Sequence, residues 1–173
     1  AQMEMGLEYY YGGIRPQDFA KANEWFVKAS NNGNYIADHM LGRMKIQGLG
    51  MTQDVPGGME LLRVAAEKGS AISMLALGLM YMNGEHVAEN YDEGAKWFLA
   101  AAEAGNPDAM FNVYNMSRRA AGVEQDYAKA LKWYLIAQAM GQKATKENRF
   151  RGIAYVTEDE QRVAKDEARQ WLR

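Results

Sequence analysis

The chain has 173 residues, 48% hydrophobic and 24% charged, with a formal net charge of -2, so no global field draws it to nucleic acid or an anionic membrane. It contains no cysteine, which excludes disulfide staples and thiolate metal sites. No apolar run approaches membrane-spanning length, and Ala1 to Gly6 lack the basic head, apolar stretch and cleavage site of a signal peptide.

Internal repetition is the stronger signal. Gly33, Gly69, Gly105 and Gly141 stand 36 residues apart, and Asp18, Asp54, Asn90 and Asp126 keep that interval, as do Ala29, Ala65, Ala101 and Ala137. The expected architecture is all-α: one elongated domain over 1–173, with helix-turn-helix repeats at about 1–33, 34–69, 70–105 and 106–141 and a degenerate repeat and cap over 142–173. Ala1, Met5 and Gly6 share the register of Ala37, Leu41 and Gly42, so the first helix is expected to open uncapped, as though a segment preceded it.

The first helix of each repeat, helix A, starts most clearly at Asn106-Pro107-Asp108: an N-cap, a proline at the first helical position and an acid facing the dipole. Asn34, Ser70 and Gln142 hold the equivalent slots, and Gly12, Gly48 and Gly84 mark the ends. Mid-helix glycines, Gly42 and Gly78, cost about 1 kcal/mol each against alanine, which predicts close backbone approach between helices. Helix B starts at the repeated Asp or Asn, with Asn90 and Glu93 in the outline of a capping box. Its predicted buried stripe is Ala22, Trp25, Phe26, Ala29, returning as Gly94, Trp97, Phe98, Ala101 and as Ala130, Trp133, Tyr134, Ala137. On that pattern, truncating Trp97 to alanine should cost about 3 to 5 kcal/mol.

Departures from the pattern carry their own expectations. Repeat two, with Gly58, Leu61, Leu62 and Ala65 in the stripe and Pro56 in the first turn, is expected to pack less well. In repeat four Tyr114, Ser117 and Ala120 replace glycine, tyrosine and glycine, which predicts altered helix spacing and a helix running on into Arg118-Arg119-Ala120-Ala121. A degraded helix A is expected after Gly141, and Thr157 to Glu160 form a capping box opening a last helix with Ala164, Ala168, Trp171 and Leu172 on one face.

Ser73, Leu77-Gly78, Tyr81, Gly84, Asn90-Tyr91, Gly94, Trp97, Ala101-Ala102 and Gly105-Asn106 resemble the pattern of the Sel1-like repeat family, a relative of the tetratricopeptide repeats, with Ser, Asn and Gly at three slots in place of Ala, Asp and Ala. The likeness covers the whole chain and is strongest over 34–141. It implies a right-handed α/α superhelix with helices A lining the inner surface, and an adaptor or scaffold role. It also brings in bacterial relatives that are often exported, to the periplasm or beyond, while a cytoplasmic place stays open. Relatives that bind penicillin carry paired cysteines, which are absent here.

Under that geometry the inner surface falls on Met3, Leu7, Tyr10 and Tyr11, then Ile36, His39, Arg43 and Ile46, then Ile72, Leu75, Leu79 and Met82, and finally Phe111, Asn115, Arg118 and Arg119. Mostly apolar or aromatic, these residues read as a groove for a protein or peptide partner, with Arg118 and Arg119 supplying charge at one end. Tighter supercoiling would instead bury them as core.

Other features read as structural. His39 is expected to be a surface-packed histidine and His86 lies in a loop, too few for a metal site. Gly48, Gly50, Gly57 and Gly58 are turn glycines without the lysine of a phosphate loop, and Asp92-Glu93 and Glu158 to Glu160 match helix dipoles. Serines are few and none lies near both histidines in a catalytic spacing, so no catalytic, cofactor or metal residue is assigned. Lys143, Lys146, Arg149 and Arg151, with Phe150 and Tyr155, read as a solvated terminal face more than an RNA site. The leading reading is a non-enzymatic interaction module; the alternatives are an inhibitor that neutralises a bacterial effector enzyme and, remotely, an enzyme.

Overall fold

The computed structural model describes residues 1–142, 150 and 152–173, and all its regular elements are helical. They are α1 (Gln2–Tyr11), α2 (Phe19–Asn31), α3 (Tyr35–Gln47), α4 (Val55–Glu67), α5 (Ala71–Asn83), α6 (Tyr91–Glu103), α7 (Pro107–Arg119), α8 (Tyr127–Ala139) and α9 (Glu158–Trp171), with one turn of 3₁₀ helix at Ile153–Tyr155. The chain forms two compact units, Ala1–Leu77 and Gly78–Arg173.

The periodic polar residues set the helix ends. Asp18, Asp54, Asn90 and Asp126 accept from the backbone N–H three residues on, at 3.0, 2.9, 3.0 and 2.8 Å, which satisfies an N–H left unpaired at each helix start. Glu93 does not complete a capping box, because its carboxylate takes the Lys96 ammonium at 2.6 Å; the box at Thr157 and Glu160 is complete. The other end of the turn uses a device not anticipated from the sequence. Gln17, Gln53 and Gln125, in one register, donate through Nε2 to the carbonyls of Tyr10, Ile46 and Arg118 at 2.8, 2.8 and 2.9 Å, closing the C-terminal turn of helix A. Glu89 fills that slot in repeat three; a carboxylate has no proton to donate, and it sits instead against Tyr91, holding the phenol above its ordinary pKa.

In the first unit α2 packs on α1 and α3, and α3 on α4. Ala22, Phe26, Ala29, Ala37, Met40, Leu41 and Met44 form the core. Repeat two is not loose: Leu62 and Ala65 are buried, and α3 and α4 touch backbone to backbone, since a β-carbon built at Gly58 falls 2.6 Å from the Gly42 carbonyl oxygen. Small residues replaced bulk with proximity. In the second unit α7 packs on α6 and α8, and α9 on α8. Here Phe98 is buried against Gly78, whereas Trp97 beside it is only half-buried; of the repeated tryptophans Trp133 is core. Ala164 and Ala168 seat α9, tied by the Lys132–Glu167 pair at 2.9 Å, while Leu172 lies beyond the helix end and is exposed.

Repeat four packs differently around its tyrosine, and one expectation from its sequence is not met. Tyr114, in the slot of Gly6, Gly42 and Gly78, is buried among Phe111, Tyr134 and Phe150, with ring centroids 5.4, 5.3 and 5.8 Å away. However, α7 stops at Arg119, because Ala120 turns into the left-handed region at φ 54°. Its register is that of Gly12, Gly48 and Gly84, and His86, also a non-glycine with positive φ, stands in the register of Gly50 and Gly122. The same turn geometry is held here by residues less suited to it than glycine. An L side chain pays about 1 to 2 kcal/mol there, so Ala120→Gly is expected to stabilise the protein by about 1 kcal/mol in equilibrium urea unfolding. The fifth helix A expected after Gly141, and the basic stretch with Lys143, Lys146, Arg149 and Arg151, lie outside the described residues.

Candidate functional site

The inner-surface residues proposed from the sequence divide into three groups. In the first unit Met3, Leu7 and Tyr10 are partly buried against the core, Tyr10 stacking edge-on to Phe19 at 5.4 Å, while Tyr11 stays exposed. Ile36 and Ile72 are exposed and Arg43 and Leu75 half-buried. His39 and Ile46 are corrections: both are buried, at 3% and 7% exposure, and offer nothing to a partner.

Burial of His39 is accompanied by a polar network between two repeats. Its Nδ1 lies 2.9 Å from Ser73 Oγ, and the Ser73 hydroxyl donates to Ser70 Oγ at 2.9 Å. With the Ser73 proton directed to Ser70, the Ser73 oxygen is placed to accept from Nδ1–H of the ring. That is the reverse of a base-activated serine, and Ser73 and Ser70 are buried. Burial first, and the Arg43 charge second, push the His39 pKa down from 6.5 to about 4. A group whose folded pKa is depressed gives stability that is present above its unfolded value and lost as pH falls through the folded one. Between pH 6.5 and 4 the protein should lose on the order of 2 to 3 kcal/mol through this group. Urea midpoints across that range should fall clearly less for His39→Gln. Next to it, Asp38 is buried and accepts from Ser30 Oγ and from Lys68 Nζ at 2.8 Å. The signal was available: Ser73 and Ser70 occupy buried and capping slots where other repeats carry alanine or asparagine, and His39 lies one repeat away less two residues.

In the second unit five of the proposed residues come together. Leu79 and Met82 of α5 and Phe111, Asn115 and Arg119 of α7 line one cleft of about 560 Å³, joined by Asn83, Tyr91, Phe98, Asn112, Met116 and Ala121. Leu79 is exposed and Phe98 closes the floor. The cleft lining contains no acid, and Arg119 makes no ion pair or hydrogen bond among the described residues. Arg118 does not line it; its guanidinium lies 5.9 Å over the Tyr114 ring.

A second cavity of about 500 Å³, between α8 and α9, is lined by Leu99, Trp133 and Val163 with five acids and two lysines, and contains none of the proposed residues. Its charges are partly matched from within, as by Lys132 and Glu167. Among the described residues no three His, Asp or Glu side chains cluster to hold a metal, and no helix is long and apolar enough to cross a membrane.

The model of one family, the Sel1 repeat, matches four times, at residues 1–34, 36–70, 71–106 and 107–142. Among solved structures the chain is similar to a Sel1 repeat protein from Oxalobacter formigenes, at 26% identity and a TM-score of 0.73 over 82% of this chain and 58% of that one. It is also similar to a protective antigen present in uropathogenic Escherichia coli strains, displaying an SLR fold, at 32% identity and a TM-score of 0.73 over 82% of this chain and 30% of that one. The chain thus spans about three fifths of the first structure's length and under a third of the second's.

Proposed function

The chain belongs to the Sel1 repeat family, whose modules typically mediate protein interactions and are usually non-catalytic, and from that premise we propose that it is an adaptor that binds a protein or peptide partner at the cleft between α5 and α7. One observation carries the reading: residues chosen because the repeat leaves them free, on two helices, meet in a single cleft. Leu79, Met82 and Phe111 supply apolar contact, and methionine lets that contact adapt. The exposed Leu79 and half-buried Phe111 give the cleft an apolar face that a partner can cover. The Ser–His pair gives no competing enzymatic reading, since its hydroxyl is buried and hydrogen-bonded away from the imidazole.

A photo-crosslinking residue at position 79 should capture a partner in the native source, whereas the same residue at the exposed helix B position Lys96 should not. Leu79→Glu should weaken that partner's binding at least tenfold while shifting stability by no more than about 0.5 kcal/mol, as expected of an exposed side chain. Equal capture from both positions, or unchanged binding by Leu79→Glu, would falsify this assignment.

A further inference from the structure

We infer that the cleft takes its partner as an extended segment and that Arg119 selects an acidic side chain on it, an inference that rests on the cleft being the partner site. Asn112, Asn115 and Arg119 are spaced i, i+3 and i+7 on α7 and all line the cleft, which makes them one stripe along its wall. Asn83 faces it from α5. Neither Asn83 nor Asn112 makes a side-chain hydrogen bond among the described residues. Asn115 spends Nδ2 on the Phe111 carbonyl at 3.2 Å and keeps its Oδ1 as an acceptor.

These amides decide the form of the occupant. Each carries donors and an acceptor, the complement of a peptide group, so an extended backbone can satisfy them without regard to side-chain identity. A helix would arrive with its backbone already paired and leave them desolvated and unmatched. Charge decides the chemistry. Arg119 stands at one end of the stripe with no acid in the lining. A single arginine without lysines is too little charge for a nucleic-acid backbone, but a carboxylate suits its planar fork. Seven residues of helix rise about 10 Å, which an extended chain covers in about three residues. The acid therefore falls about three residues from the peptide group held at Asn112, with apolar side chains turned toward Leu79, Met82 and Phe111.

The test is a randomised phage-displayed peptide library panned against the full chain, with Arg119→Ala and Leu79→Glu panned in parallel. Peptides enriched by the unmodified chain should carry Asp or Glu at a fixed distance from apolar residues. Arg119→Ala should enrich peptides that keep the apolar residues and lose the acid, and Leu79→Glu should enrich neither. A synthetic peptide from the enriched set should bind about tenfold more weakly once its acid is changed to the amide, and raising NaCl toward 1 M should close that gap. Enriched peptides without an acid, or an acid preference that survives Arg119→Ala, overturn the inference and leave the cleft as partner site. No enrichment, or enrichment indifferent to Leu79→Glu, overturns both.

Discussion

Replacing Phe98 by alanine should cost about 3 to 5 kcal/mol, the largest single effect expected from this structure. The ring is buried at 1% exposure, and its Cδ1 and Cε1 lie 2.6 and 2.7 Å from where a β-carbon would stand at Gly78. Glycine at position 78 is thus the seat of that ring. A double-mutant cycle in urea unfolding makes the dependence visible. Gly78→Ala alone should destabilise, because the ring must move, yet in the Phe98→Ala background it should gain up to about 1 kcal/mol of helix propensity. If the two changes add without coupling, the seat is not what holds the ring. Trp97→Ala should cost clearly less than Phe98→Ala, since only part of that side chain leaves water on folding.

The second large effect reverses a common rule. Gly→Ala inside a helix normally stabilises by about 1 kcal/mol, but Gly58→Ala should destabilise by about 2 to 3 kcal/mol. Its β-carbon would meet the Gly42 carbonyl oxygen and Ile46 Cγ1, each at 2.6 Å. A carbonyl in a helix cannot rotate away as a long side chain can, so α3 and α4 would have to separate. Gly94→Ala gives the graded comparison: its β-carbon would lie 3.2 Å from the Gly78 carbonyl, and the cost should be smaller. A neutral Gly58→Ala in equilibrium urea unfolding would mean that the helices can part cheaply.

Periodicity made the helices legible because caps and turns act locally. A side chain that accepts from the N–H three residues on needs only its own neighbourhood, so the 36-residue spacing of Asp18, Asp54, Asn90 and Asp126 placed every helix B start. Packing was legible only in part. Trp97 and Phe98 are adjacent, and a stripe pattern cannot say which of them points inward; the glycine opposite says it, once the pairing of helices is known. The His39–Ser73 bond joins positions 34 residues apart, a separation that belongs to neither period used to read the chain. Of the proposed groove, Leu79, Met82, Phe111, Asn115 and Arg119 assemble in the cleft and Arg118 does not, whereas His39 and Ile46 are buried. Their helical offsets are the same as those of half-buried positions elsewhere, such as Leu75, Phe111 and Met82, and only the tertiary arrangement separates them.

Tyr114 has a consequence for how such an array changes length over evolutionary time. Repeats that place glycine opposite Phe26, Leu62 or Phe98 carry interchangeable surfaces, so a duplication or loss among them preserves the seats. Repeat four does not share that freedom. Its tyrosine fills the seat and depends on Tyr134 and on Phe150, which lies beyond the last matched repeat. Copied into the middle of the array it would arrive without Phe150 to close its aromatic cluster. Repeat four is therefore a punctuation mark, and growth or shrinkage of the chain is expected upstream of it.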